Sequence, residues 1–191
     1  MKTRKELTTI YNRNPENKAY MIEVSLDDYA EIFNGWDASA IKKKDIEPEL
    51  LDYIEQAGFE IPISETLEIC FYLPVQFNDT EKETKSISGI QNNFRTVLFF
   101  IDRLLKKNYR RIISYVTISI MLLIAAYLTR NTSTPNLMFS IVMEGLFIGS
   151  WFLLWEAFSL FFFESHDTKQ RKKVYKRFLN SKIYFKNKSE H

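Results

Sequence analysis

Two carboxylates occupy positions where a charge is expensive. Glu144 and Glu156 interrupt residues 137–163, a run with no other charged residue. An ionised carboxylate in hydrocarbon has to face protein, water or a partner, and intramembrane carboxylates serve ion and proton paths. Glu144 therefore has two readings. In the structural one it is protonated, or hydrogen-bonded to Tyr115, Thr117 or Ser119 of a neighbouring helix. In the other it lines a conduction path. The first is preferred, because a chain with two such helices would need several copies to enclose a pore. A second group of oxygen-bearing side chains, Asp37, Ser39, Asp45 and Glu47, has the composition of a divalent-cation or acid–base cluster. Turn formation by Asp37 and helix starting by Asp45 or Glu47 explain it better. No histidine or lysine constellation completes a site there.

Composition narrows the chemistry further. One cysteine, Cys70, allows neither an intrachain disulfide nor a multi-cysteine metal site. The two histidines, His166 and His191, lie in a basic C-terminal tail without partners at metal-ligand spacing. The five glycines, at 35, 58, 89, 145 and 149, form no phosphate loop. No serine or cysteine nucleophile can be given a histidine base. The expectation is a non-enzymatic protein with no cofactor and no metal.

The elements that carry these residues follow from where the charges are. The chain has 191 residues, 26 Lys+Arg and 24 Asp+Glu, for a net charge of +2. Its mean hydropathy of −0.23 would suit a soluble protein. Resolved along the chain, residues 112–163 hold only Arg130, Glu144 and Glu156 as charges. The uncharged stretch 112–129 reaches about 27 Å as a helix, close to a hydrocarbon core of about 30 Å. With 137–163 it reads as a transmembrane hairpin: a first helix over 112–130, an extracytoplasmic turn over 131–136 and a second helix over 137–163. Arg103, Lys106, Lys107, Arg110 and Arg111 precede the hairpin, and Lys169, Arg171, Lys172, Lys173, Lys176 and Arg177 follow it. The positive-inside rule then puts both termini in the cytoplasm, in a plasma (inner) membrane protein. Residues 1–19 are polar and read as a flexible N-terminus, not as a signal peptide.

On a helical wheel of the second run, Ser140, Trp151 and Trp155 fall within about 40° of Glu144, and Gly145, Gly149, Phe152 and Glu156 fall about 80–140° away. The opposite arc, with Met143, Leu146, Phe147, Leu153 and Leu154, is expected to face lipid. Gly145 and Gly149 form a GxxxG pair, which lets helices approach closely. The pair is expected to pack on the first helix near Ser119 and Ala126, with a homo-oligomeric interface as the alternative. Trp151 and Trp155 are expected as interface aromatics. That puts Glu156 near the cytoplasmic boundary and Glu144 well inside.

The rest of the chain is charged in blocks. Residues 1–79 carry 8 basic and 16 acidic residues, 80–111 carry 8 and 3, and 165–191 carry 9 and 2. The basic blocks suit a lipid bilayer with anionic headgroups, and no nucleic-acid motif accompanies them, so nucleic acid is not an expected partner. Alternation predicts strands at 20–26 and 67–73, and a third at 182–186. Pro48 opens a helix, PELLDYIEQAGFE, which Gly58 is expected to end. Asp79 or Thr80 caps an amphipathic juxtamembrane helix over 80–111. Its apolar residues Ile87, Ile90, Phe94, Val97, Ile101 and Leu104 recur at spacings of three and four. Another helix is expected around 169–179. The expected fold class is an α+β membrane protein. It joins the two-helix hairpin to a small cytoplasmic α/β domain over 20–79, completed by the tail 164–191 if the third strand joins the sheet.

Several stretches carry a resemblance. They are Asp27-Asp28, the segment from Asn34 through Gly35, Trp36, Asp37, Ala38, Ser39 and Ala40 to Ile41, then Lys44-Asp45-Ile46-Glu47-Pro48-Glu49, Tyr53-Ile54 and Leu73-Pro74. In the second apolar run they are Glu144-Gly145-Leu146-Phe147-Ile148-Gly149-Ser150-Trp151 and Trp155. From about residue 20 onward the chain resembles an uncharacterised family of bacterial two-span integral membrane proteins with a small cytoplasmic α/β domain. It departs from that pattern at Ala38 and Ala40, where prolines are usual, and at Glu156-Ala157, where proline and leucine are common. The resemblance implies the same topology and implies no function. The expected role is a non-enzymatic interaction or signal-coupling module with a cytoplasmic protein partner. The alternative is a homo-oligomeric pore or conductance-regulating protein using the Glu144/GxxxG face.

Overall fold

Alternating apolar residues make three strands: β1 (Tyr20–Ser25), β2 (Leu67–Leu73) and β3 (Lys182–Asn187). In the computed structural model, which describes residues 4–129 and 137–188, they form one parallel sheet in the order β1-β2-β3. Arg130, the link 131–136 and His191 lie outside the described residues. Parallel neighbours cannot be joined by a tight turn. Accordingly α2 (Pro48–Glu60) lies between β1 and β2 in the chain, and α3 (Thr80–Thr129), α4 (Leu137–Ser159) and α5 (Ser165–Asn180) lie between β2 and β3. A short α1 (Arg4–Ile10) precedes the sheet. The C-terminal segment does join the N-terminal strands, with Ile69 opposite Ile183 and Phe71 opposite Phe185.

The chain divides into two compact units, Met1–Phe100 with Arg171–His191, and Ile101–Gln170. In the first, the sheet unit, the pleat separates two environments. One side of the sheet carries Ile22, Val24, Ile69, Phe71 and Leu73, all buried. Phe185 stacks on Phe71 at 5.3 Å and meets Tyr29 edge-on at 5.4 Å. The other side carries Glu23, Glu68, Cys70, Tyr72 and Tyr184. There the N-terminal segment bonds to the strands, through Asn14 Nδ2 and Asn17 Nδ2 to Glu68 at 2.8 and 2.6 Å and through Asn12 Nδ2 to Glu23 at 2.7 Å.

Pro48 stands in the first turn of α2, as expected, but Gly58 does not end that helix, which continues to Glu60. A Cβ at Gly58 would collide with the Phe178 ring and lie 2.7 Å from Val174 Cγ1. The glycine is there to let α5 come close. Beyond it, the Arg177 guanidinium donates to the carbonyls of Gly58, Ile61 (3.1 Å) and Pro62 (2.7 Å). A cation at the carbonyl end of a helix satisfies groups that have no helical partner.

Asp79 Oδ1 accepts from the amides of Glu81 and Lys82 and caps α3. Buried positions on this helix include Ile90, Phe94, Ile101, Leu105 and Asn108, while Leu104 is exposed. The expected seam therefore shifts by one residue after Ile101, as a 3.6-residue period requires of a straight helix. In the sheet unit Phe94 packs on Phe178 at 5.2 Å and Tyr175 at 6.0 Å. Beyond α4 the helix passes through a π-helical turn, Leu160–Glu164, into α5. Two helices, Thr80–Thr129 and Leu137–Asn180, are long and apolar enough to cross a membrane, and only 6% of the apolar window of each is buried within the protein.

Candidate functional site

In the second unit α3 and α4 meet through serines. Ser119 Oγ donates to the Ser150 carbonyl at 2.7 Å, and both residues are 0% exposed. Ser150 Oγ turns back to its own helix and donates to Leu146 O at 2.6 Å. Further along, Thr129 Oγ1 lies 3.6 Å from Met143 Sδ. The side of α4 against α3 thus carries Met143 and Ser150, and the buried Ala157 and Leu160 follow along the helix.

This corrects the expected packing. Met143 belongs to the arc assigned to lipid, whereas the glycines assigned to the seam are open. A Cβ at Gly145 or Gly149 would meet nothing within 4 Å. Ser119 keeps its place in the seam and Ala126 is half-buried. The physical reason is that serine is itself small, and Ser119 has a carbonyl on α4 to bond, so the close approach occurs at Ser150 and not at glycine. The signal missed in the sequence was this pair of small polar residues in otherwise apolar helices, which glue helix interfaces.

Glu144 is exposed on the open side of α4. Its expected partners bond elsewhere: Thr117 to the Ile113 carbonyl, Ser119 to Ser150, and Tyr115 to Arg111 Nη2 at 3.4 Å. Trp151 and Trp155 are also exposed. Glu156 is half-buried, and its charge and that of Glu164 act on the Arg111 guanidinium, which is held first by Tyr115. Lys169 Nζ lies 5.4 Å from the Tyr109 ring and 5.5 Å from the Phe161 ring.

In the sheet unit the oxygen cluster is a loop tie. Asp37 accepts from the Ser39 amide (2.9 Å) with one oxygen and from the Asp45 amide (2.8 Å) with the other. Asn34 N donates to Asp45 O at 2.8 Å, and Phe33 and Ile46 form an isolated bridge. Hydrogen bonds from Ser39 and the Asp45 amide hold the Asp37 carboxyl below its ordinary range. The result is a braced loop with Trp36 at its tip, 97% exposed. Among the described residues no group of three or more His, Cys, Asp or Glu could hold a metal ion. Burial pushes the Cys70 thiol up, away from the reactive thiolate.

Comparison of this chain with protein-family models, with curated proteins and with solved structures finds no match.

Proposed function

We propose that this chain is an integral membrane protein that crosses the bilayer twice through α3 and α4, with both termini cytoplasmic, and that its sheet unit is a non-enzymatic interaction or signal-coupling module. The observation that carries the reading is the outer surface of the helical pair. Ile113, Met121, Ile124, Leu128, Leu137, Phe147 and Ile148 are all large, apolar and exposed. A patch of this kind needs lipid or a partner to cover it, and its length matches a bilayer. Arg103 through Arg111 on one side and the basic α5 on the other favour a cytoplasmic location for both flanks and contact with anionic headgroups. The resemblance to bacterial two-span proteins supports the same topology. The coupling role rests on covalent continuity, since α3 runs unbroken from the edge of the sheet unit into the apolar stretch. Reporter fusions at each terminus test the topology. Activity of cytoplasmic-type reporters at both ends is expected, and activity of an export-dependent reporter at either end would overturn it.

A second reading is favoured by one observation: Glu144, Gly145 and the neighbouring Gly149 lie on a side of α4 that α3 does not cover. In hydrocarbon that face would call for another copy of the chain, which is the homo-oligomeric, conductance-regulating alternative. Mass measurement in nanodiscs decides it. A monomer removes the pore, and a closed ring whose ion flux is lost in Glu144→Gln establishes it.

A further inference from the structure

The braced loop and α3 of the sheet unit enclose a cleft of about 320 Å³ with an unusual lining. Lys42, Lys43 and Lys44 come from the loop, and Asn92, Asn93 and Arg95 from the helix. Three features show that the cleft is built. First, Gly89 lets the loop backbone lie directly on α3, because a Cβ there would be 2.6 Å from Ile41 O and 2.9 Å from the Phe33 ring. Second, Asn92 fixes both walls: its Nδ2 donates to Lys42 O at 2.8 Å, and its Oδ1 accepts from Arg95 Nη1 at 2.7 Å. Third, Asn93 is 8% exposed and its Oδ1 is buried without a hydrogen-bond partner, while its Nδ2 donates to Asp45 Oδ1 at 3.3 Å. An orphaned buried acceptor costs about 1–3 kcal/mol unless something donates to it.

The charge balance is equally specific. Four cations face one carboxylate, and the Asp45 oxygen that accepts from Asn93 is thereby engaged. Three of the eight basic residues in the acidic stretch 1–79 are these lysines. We propose that this cleft binds a phosphorylated, hydroxyl-bearing ligand. The lysines and Arg95 hold the phosphate, and a hydroxyl of the ligand donates to Asn93 Oδ1. A volume near the low end for small-molecule sites, roughly 300–1,000 Å³, suits a group the size of a glycerol phosphate. The same chemistry occurs in a free phosphorylated polyol and in a phosphatidylglycerol headgroup. The free-ligand form of the inference stands apart from the bilayer topology, because every residue of the cleft belongs to the sheet unit, whereas the headgroup form rests on the proposed membrane location.

The test uses the full chain in nanodiscs. In pure phosphatidylcholine discs, calorimetry with glycerol 3-phosphate reports the free ligand. Thermal unfolding in phosphatidylglycerol against phosphatidylcholine discs reports the headgroup. Lys43→Gln and Arg95→Gln change exposed charges and leave the fold intact, as circular dichroism verifies. Each is expected to weaken glycerol 3-phosphate binding about tenfold, or to abolish the stabilisation by phosphatidylglycerol, as one charge-assisted contact would. Either loss supports the cleft and identifies its source. Absence of both effects in the unaltered protein, or their survival in both variants, overturns it.

Discussion

The two units treat the same kinds of side chain in opposite ways. In the sheet unit Phe71 is 0% exposed, whereas on α4 Leu137 is 77% and Trp155 72% exposed. Hydroxyls donate one turn back in both units, as Thr84, Ser88 and Thr96 do on the sheet-unit part of α3, but polar groups also differ. In the sheet unit they tie separate elements together: Asn14 and Asn17 to Glu68, Arg177 to the end of α2, and Arg171 and Tyr175 to Glu55 at 2.6 and 2.7 Å. In the helical pair Thr117, Thr129 and Ser150 donate to carbonyls one turn back on their own helix, and Ser119 makes a bond across the seam. Local satisfaction of hydroxyls is what an environment without water demands. On the proposed topology the same sequence would serve two solvents, water around the sheet unit and hydrocarbon around the helical pair.

The contrast can be broken or sharpened by substitution. The largest expected effect is Arg177→Leu, which removes the guanidinium from the Gly58 and Ile61 carbonyls, while the Pro62 carbonyl keeps its bond from the Glu65 amide. It is expected to destabilise the sheet unit by about 3 kcal/mol in urea denaturation followed by circular dichroism. Burial pushes the guanidinium down to about 10, so it stays charged at neutral pH, and Arg177→Lys should recover part of the loss. Next come the two glycine classes. At Gly58 the helix propensity gained by alanine, about 1 kcal/mol, opposes overpacking of about 1–3 kcal/mol against Phe178 and Val174. A net loss of about 1 kcal/mol is expected for Gly58→Ala. Gly145→Ala, with open space around it, has no overpacking to oppose the propensity gain and is expected to leave the helical pair unchanged or stabilise it by up to about 1 kcal/mol. Equal effects at both positions would erase the distinction between the units.

Ser119→Ala removes the bond to Ser150 and is expected to weaken the helical pair by about 0.6 kcal/mol in detergent titration. The smallest effect is graded with pH. Burial alone would raise the Glu68 carboxyl, but the Asn14 and Asn17 amides, Tyr184 and the charge of Lys182 outweigh it and hold the carboxyl below its ordinary value. Its stabilising contribution is therefore present above about pH 4.3, the ordinary carboxylate value, and is lost as pH falls through the lower native value. The acid limb of sheet-unit stability should flatten in Glu68→Gln.

Much of the sheet unit was legible because local pattern carries it. Alternation marks Tyr20–Ser25 and Leu67–Leu73, Pro48 marks the start of α2, and Asp79 marks the start of α3. What pattern cannot carry is the identity of a neighbour. Gly58 reads as a helix stop until Phe178 is seen beside it, and Gly145 and Gly149 read as a seam until Ser150 is found in their place. On α4 nearly every residue is apolar, so a wheel has little asymmetry from which to choose the packed side. The cleft was hidden for the same reason: its lysines and its amides are about fifty residues apart, and they are joined by tertiary contacts at Gly89, Asn92 and Asn93.

The chain's three tryptophans permit the most direct test of the two-solvent reading. Single-tryptophan variants retaining Trp36, Trp151 or Trp155 can be placed in nanodiscs whose acyl chains are brominated, which quench fluorescence on contact. Strong quenching of Trp151 and Trp155 with none at Trp36 is expected. Unquenched Trp151 and Trp155, or equal quenching of all three, would contradict the assignment of the helical pair to hydrocarbon.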